Sequence, residues 1–285
     1  MSGMDERTVE IAGFGGPVSL ALAEAGVGGR PLLLLHGFTG AKEDFTDHLD
    51  ALAQRGWHAV APDQRGHGTS SQPDDEGAYT FDAFAVDALA LIDALGWDRC
   101  VALGHSMGGM VVQTAILAAP ERFDGLILMD TSHRGLRADP ELVALGVALA
   151  RTEGIAAVLA AQEALAQSDQ PLGTGPHQRL VESRAGYKEF GDRKMLASSA
   201  HMYAAMLQTI TAAAGVDRLP DLPRISVPTL VLVGEEDAPF RKPSQRMAEA
   251  IPGAELVVLP DGGHSPQFEC TELWWKALSD FLDRL

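Results

Sequence analysis

Short unbroken apolar runs alternate along this chain with longer stretches in which apolar positions recur every three or four residues. Runs of the first kind are "PVSLALAEA" (17–25), "PLLLLHG" (31–37), "WHAVAPD" (57–63), "RCVALGH" (99–105) and "GLILMD" (125–130). Two more follow late in the chain, "PTLVLVGEED" (228–237) and "AELVVLPDGGH" (254–264). Continuous apolar runs bounded by Gly, Pro and Asp fit strands of a parallel sheet covered on both faces. Between them, residues 80–95 put Phe81, Phe84, Ala88, Leu91, Ile92 and Leu95 on one helical face, with Thr80 as N-cap and Gly96 as the stop. Residues 106–119 form a second helix ended by Pro120, and 271–285 an amphipathic third.

Strand–helix alternation of this kind predicts a doubly wound α/β sheet, which binds ligands beyond the carboxyl ends of its strands. It breaks once, over residues 131–223, where Ala, Leu, Met, Arg and Gln dominate and strand signals vanish. The pattern predicts a core of residues 1–130 and 224–285 and a helical cap insertion of residues 131–223.

Composition narrows the function classes. With 39 acidic against 22 basic residues the formal net charge is −17, which disfavours nucleic acid and anionic membranes as partners. The amino-terminal "MSGMDERTVEIAG" is polar and acidic, unlike a signal peptide, and no run reaches the roughly 20 apolar residues of a membrane span, so a cytoplasmic location is expected. Cys100 and Cys270 make no disulfide framework, and the nine histidines show no metal-ligand spacing. No metal or cofactor is expected.

The chemistry concentrates in "VALGHSMGGMVV". Gly104-His105-Ser106-Met107-Gly108 fits G-x-S-x-G after a strand and before a helix, the context in which that motif exposes a nucleophilic serine. A serine hydroxyl needs a base to take its proton and a third group to orient that base. His264, in the glycine-rich "LPDGGHSPQFE", is the candidate base; His105 points away from its neighbour in such a turn, and His67 shapes a loop. Asp237, ending "TLVLVGEED", gives the order Ser, Asp, His expected of this architecture, with Asp130 as the alternative acid. The backbone N–H groups of Phe38, in "LLLLHGFTG", and of Met107 are candidate donors to an oxyanion. His36 and Gly37 then brace and turn that loop. In "APDQRGHGTS", Asp63 and Arg65 hold their own loop by ion pairing and hydrogen bonds, and the G-x-G there lacks the rest of a dinucleotide fingerprint. Met195, Met202, Met206 and Phe268 are candidate pocket residues. Arg134, Arg137, Arg179, Arg184, Arg193 and Lys194 punctuate the cap, and one turned inward would recognise a carboxylate.

Taken in order, "HGFTG", "DQRGHGTS", "GHSMGG", "VGEEDAP" and "DGGHSPQFE" resemble the α/β-hydrolase superfamily across essentially the whole chain. The resemblance implies a Ser106–His264–Asp237 triad, Phe38 and Met107 as oxyanion donors, and a helical cap between the sixth and seventh core strands. It further implies no cofactor and a small-molecule partner, an ester or lactone cleaved through an acyl-enzyme. Carbon–carbon bond hydrolysis of a dienoic ring-cleavage product and a non-catalytic ligand receptor are the two other readings. Serine at the elbow argues against the dehalogenase and epoxide-hydrolase branches, which carry Asp there.

Overall fold

Leu32 and Leu34 face one side of a central sheet and Leu33 and Leu35 the other, and both sides are buried. This is why the strand reads as an unbroken apolar run. The computed structural model describes residues 3–166, 174–212, 215 and 217–285. Its eight strands are β1 (Asp5–Gly13), β2 (Gly16–Ala25), β3 (Arg30–Leu35), β4 (Trp57–Pro62), β5 (Cys100–His105), β6 (Phe123–Met129), β7 (Thr229–Gly234) and β8 (Glu255–Leu259). They form one sheet in the order β1-β2-β4-β3-β5-β6-β7-β8. β1 with β2 and β2 with β4 are antiparallel, and every other pairing is parallel.

On one face, α2 (Phe81–Ala94), α3 (Met107–Ala118) and α9 (Ala238–Ala250) cover Leu33, Leu35, Ala102, Leu126, Leu128 and Val231. On the other, α1 (Thr46–Gln54) and the last helix (Thr271–Leu282) cover Leu32, Leu34, Val101, Leu103, Ile127 and Leu232. The α2 start agrees with its reading, since Thr80 accepts a hydrogen bond from the Ala83 N–H at 3.1 Å. Between β6 and β7 the described residues form α4 (Pro140–Glu153), α5 (Ile155–Ala166), α6 (Gly175–Ser183), α7 (Tyr187–Leu196) and α8 (Ala200–Thr211). Residues 167–173, 213, 214 and 216 of the expected insertion lie outside the described residues. These helices share a small apolar core of their own, including Val147, Val158, Met195 and Tyr203. No helix among the described residues is long and apolar enough to cross a membrane.

Three expectations change. The polar amino-terminal segment contains β1, an edge strand in which only Val9 and Ile11 are buried, so its alternation is thin. β7 stops at Gly234 rather than running to Asp237, because the Asp237 N–H folds back onto the Gly234 carbonyl at 3.2 Å in a turn that leads into α9. β8 likewise stops at Leu259, and a turn delivers residues 260–264 to the carboxyl edge of the sheet.

Candidate active site

Ser106 sits between β5 and α3 with φ 51° and ψ −115°, a conformation that a non-glycine residue rarely adopts. The glycines around it are explained by close approach. A Cβ on Gly104 would lie 2.4 Å from the Gly108 carbonyl oxygen, and one on Gly108 would lie 2.4 Å from the Leu35 carbonyl oxygen. Gly109 abuts Thr131, whose side chain would stand 2.5 Å from an added Cβ. The turn therefore packs β3, β5 and α3 closer than any side chain permits. Thr131 Oγ1 donates to the Ser106 carbonyl at 2.6 Å, and the Ser106 N–H donates to the Met129 carbonyl at 2.9 Å.

His264 stands between Ser106 and Asp237. Its Nε2 is 2.9 Å from Ser106 Oγ and its Nδ1 is 2.8 Å from Asp237 Oδ2. With Nδ1–H donating to the carboxylate, Nε2 is left as the acceptor for the serine hydroxyl. Asp237 is buried, and the Phe240 ring stacks on the imidazole at 4.6 Å.

Asp130 is buried beside them, and its carboxyl atoms come within 4.8 Å of both Asp237 and His264. Burial first, and the neighbouring Asp237 charge second, raise its pKa well above the carboxylate range. The three groups could in principle bridge a cation. His264 Nδ1 is already engaged by Asp237 Oδ2, however, and Asp130 Oδ1 accepts the Gly234 N–H at 2.8 Å.

The loop after β3 lies against the serine, since a Cβ on Gly37 would be 3.0 Å from Ser106 Cβ. His36 holds this loop: its Nε2 accepts the Gln64 N–H at 3.0 Å and its Nδ1 meets the Gly37 carbonyl at 2.8 Å. Burial lowers its pKa to about 4, which keeps the ring neutral for this pairing. Met107 is the first residue of α3, where an N–H has no acceptor within its own helix. Gly37, Phe38, Thr39, Gly40, Asp44, His105, Ser106, Gly191, Lys194, His264 and Ser265 line an open cavity of about 180 Å³.

Several supports carry no motif. Glu269 Oε2 accepts the N–H of Gly263 at 2.7 Å and of Ser265 at 3.1 Å, clamping the loop on both sides of His264. His105 turns from the serine and meets the His264 carbonyl oxygen with Nε2 at 2.6 Å. Asp44 is buried and paired with Lys194, the one expected insertion cation that lines the cavity. Arg65 pairs not with Asp63 but with Asp87 of α2, at 2.5 and 2.7 Å, while Asp63 accepts from the Lys42 backbone at 2.8 Å.

None of the four candidate pocket residues lines this cavity of about 180 Å³, although the Phe268 ring lies 5.8 Å from Lys194 Nζ, which does. Met202 and Met206 are fully buried in the main core, and Met195 packs in the small core of α4, α5 and α8. Phe268 lies edge-on to Tyr187 and Phe190 at 5.7 and 5.6 Å. Helical spacing cannot distinguish a methionine facing a cavity from one facing its neighbours.

The family profile described as alpha/beta hydrolase fold matches residues 30–270. The chain belongs to the α/β-hydrolase family. An enol-lactonase from Burkholderia xenovorans LB400 superimposes on this hydrolase with a TM-score of 0.80 at 26% identity, covering 96% of this chain and 99% of that one. A thermophilic esterase from Thermogutta terrifontis does so with a TM-score of 0.81 at 30% identity, covering 98% of each chain. Epoxide hydrolase A of Mycobacterium tuberculosis is 38% identical over 123 residues, 43% of this chain and 37% of that protein.

Proposed function

We propose that this α/β-hydrolase cleaves small to medium carboxylic esters or lactones through an acyl-enzyme on Ser106. The observation that carries this reading is the relay Ser106 Oγ, His264, Asp237, at 2.9 and 2.8 Å. Ser106 attacks the carbonyl carbon as its proton passes to His264 Nε2, and buried Asp237 stabilises the imidazolium that forms. The developing oxyanion is taken by the N–H groups of Phe38 and Met107, each such donor being worth roughly 3 kcal/mol in the transition state. Collapse expels the alcohol oxygen, which takes the proton from His264. Water then repeats the sequence, with His264 as base, to free the acid and restore Ser106.

Serine in the elbow separates this chain from the aspartate-dependent chemistry implied for the epoxide-hydrolase branch. The lactonase and esterase names of the two structures that match nearly the whole chain support an ester or lactone carbonyl. The helices between β6 and β7 act as the cap, since Gly191 and Lys194 of α7 close one side of the cavity. The test is steady-state hydrolysis of nitrophenyl esters and small lactones by wild type and Ser106→Ala. Turnover lost by about 10⁴-fold or more in the variant is expected. A loss of tenfold or less contradicts the mechanism.

A further inference from the structure

Phe38 and Tyr203 form a shared wall between two cavities. Phe38 lines the cavity that holds Ser106, and its ring lies 5.0 Å from that of Tyr203. Tyr203 in turn lines a second, solvent-open apolar cleft of about 210 Å³ among α4, α5 and α8, with Val143, Leu149, Val158 and Leu207 along its walls and the exposed Leu142 and Leu145 at its mouth. The Tyr203 hydroxyl accepts a hydrogen bond from Gln162 Nε2 at 3.3 Å.

Gly146 is the second observation. It lies in the middle of α4, where glycine is less favourable than any residue except proline. A Cβ there would be 3.1 Å from Leu207 Cδ2 and 3.8 Å from the Tyr203 hydroxyl oxygen. A single methyl would be tight but accommodated, and any atom beyond it would enter the cavity. The glycine thus keeps open a space that a helix-forming leucine would fill.

We propose that this second cavity receives the aliphatic tail of a medium-chain acyl group whose carbonyl sits at Ser106. Phe38, half-buried at the rim of the first cavity, turns aside with Tyr203 as the chain passes. For scale, an apolar space of about 150 Å³ holds a benzene-sized guest. Together with the short span beside Ser106, about 210 Å³ therefore suits a linear acyl chain of about six to eight carbons. The inference rests on the serine-hydrolase reading and names the substrate class of that site.

The test compares kcat/KM for nitrophenyl esters from acetate to decanoate in wild type, Gly146→Leu and Ala161→Phe, the last filling the opposite wall from α5. Wild type should be best at hexanoate or octanoate. Both variants should keep acetate hydrolysis within about threefold while octanoate falls tenfold or more, moving the optimum to butyrate or shorter. Leucine favours the helix, so Gly146→Leu should fold, and circular dichroism checks both variants. An octanoate-to-acetate ratio unchanged in both folded variants overturns the proposal. Octanoate binding by calorimetry separates it from the chemistry. Binding weakened tenfold in Gly146→Leu supports the pocket even if no ester is turned over, and equal binding in wild type and variant refutes it.

Discussion

Asp130, just after β6, and Asp237, in the turn between β7 and α9, lie side by side, and of the two only Asp237 makes the hydrogen bond to His264. Asp130 spends one oxygen on the Gly234 N–H at 2.8 Å, and burial, with Asp237's charge second, pushes its pKa up. Asp130→Asn keeps the side chain's shape and its oxygen acceptor for the Gly234 N–H and should leave kcat/KM within about fivefold. Asp237→Asn presents an amide to His264 Nδ1 and should lower kcat by roughly 10⁴ by favouring the wrong tautomer. The reverse pattern would assign the orienting role to Asp130.

Glu269 clamps the histidine loop with one carboxylate oxygen shared by two N–H groups. Glu269→Ala leaves both donors without their partner, at a cost of about 1–3 kcal/mol, and frees the backbone that aims His264. A lower melting temperature and a kcat reduced by about tenfold or more, with KM little changed, are expected from thermal and kinetic assays. Glu269→Gln retains a carbonyl acceptor and should recover most of both. Full activity in the alanine variant would mean that the loop holds itself.

Three buried histidines make the fold sensitive to mild acid. Burial lowers the pKa of His36 and His105 to about 4 and that of His67 to about 3. Above the ordinary histidine value both folded and unfolded chains hold them neutral, and they have no effect on stability. Below about 6.5 the unfolded chain takes up protons that the folded chain refuses, so stability falls until the folded values near 4 and 3 are passed. At pH 5 each should contribute a loss of about 2 kcal/mol. Urea midpoints measured from pH 7.5 to pH 5 should drop steeply, and a flat profile would contradict the buried, neutral assignment.

The glycines of the elbow give a sharper structural test. Gly108→Ala places a methyl 2.4 Å from the Leu35 carbonyl oxygen, which belongs to a central strand and cannot yield. Destabilisation of about 3 kcal/mol or more is expected, read as a fall in the urea midpoint. Gly253→Ala, with no atom within 4 Å of its added Cβ, should be milder and reflect only its φ of 74°.

How legible these features were in the sequence follows from what carries them. Ser106, His264 and the loop after β3 stand out because strained, closely packed turns demand glycine, and glycine at fixed spacing is visible in a string of letters. The two-sided leucine run of β3 is visible for a similar reason, since burial on both faces removes polar residues altogether. Glu269 and His105 were not legible as supports, because each acts on the backbone of His264 and a carbonyl or N–H accepts any partner the fold brings near. Arg65 showed a need for a partner but not that Asp87, from another element, would supply it. β1 buries two side chains and so leaves almost no alternation to read. The methionines of α8 have the spacing of a pocket face and of a core face alike, and only the fold shows Met202 and Met206 within the core.

The most direct test of the central claim is the intact mass of the protein after reaction with a fluorophosphonate, run beside Ser106→Ala and His264→Ala. Wild type should gain the mass of a single phosphonyl group, mapped to the peptide bearing Ser106. Ser106→Ala should gain none, and His264→Ala should react at least a hundredfold more slowly. A wild-type chain that stays unlabelled, or a label that persists in Ser106→Ala, would contradict the account.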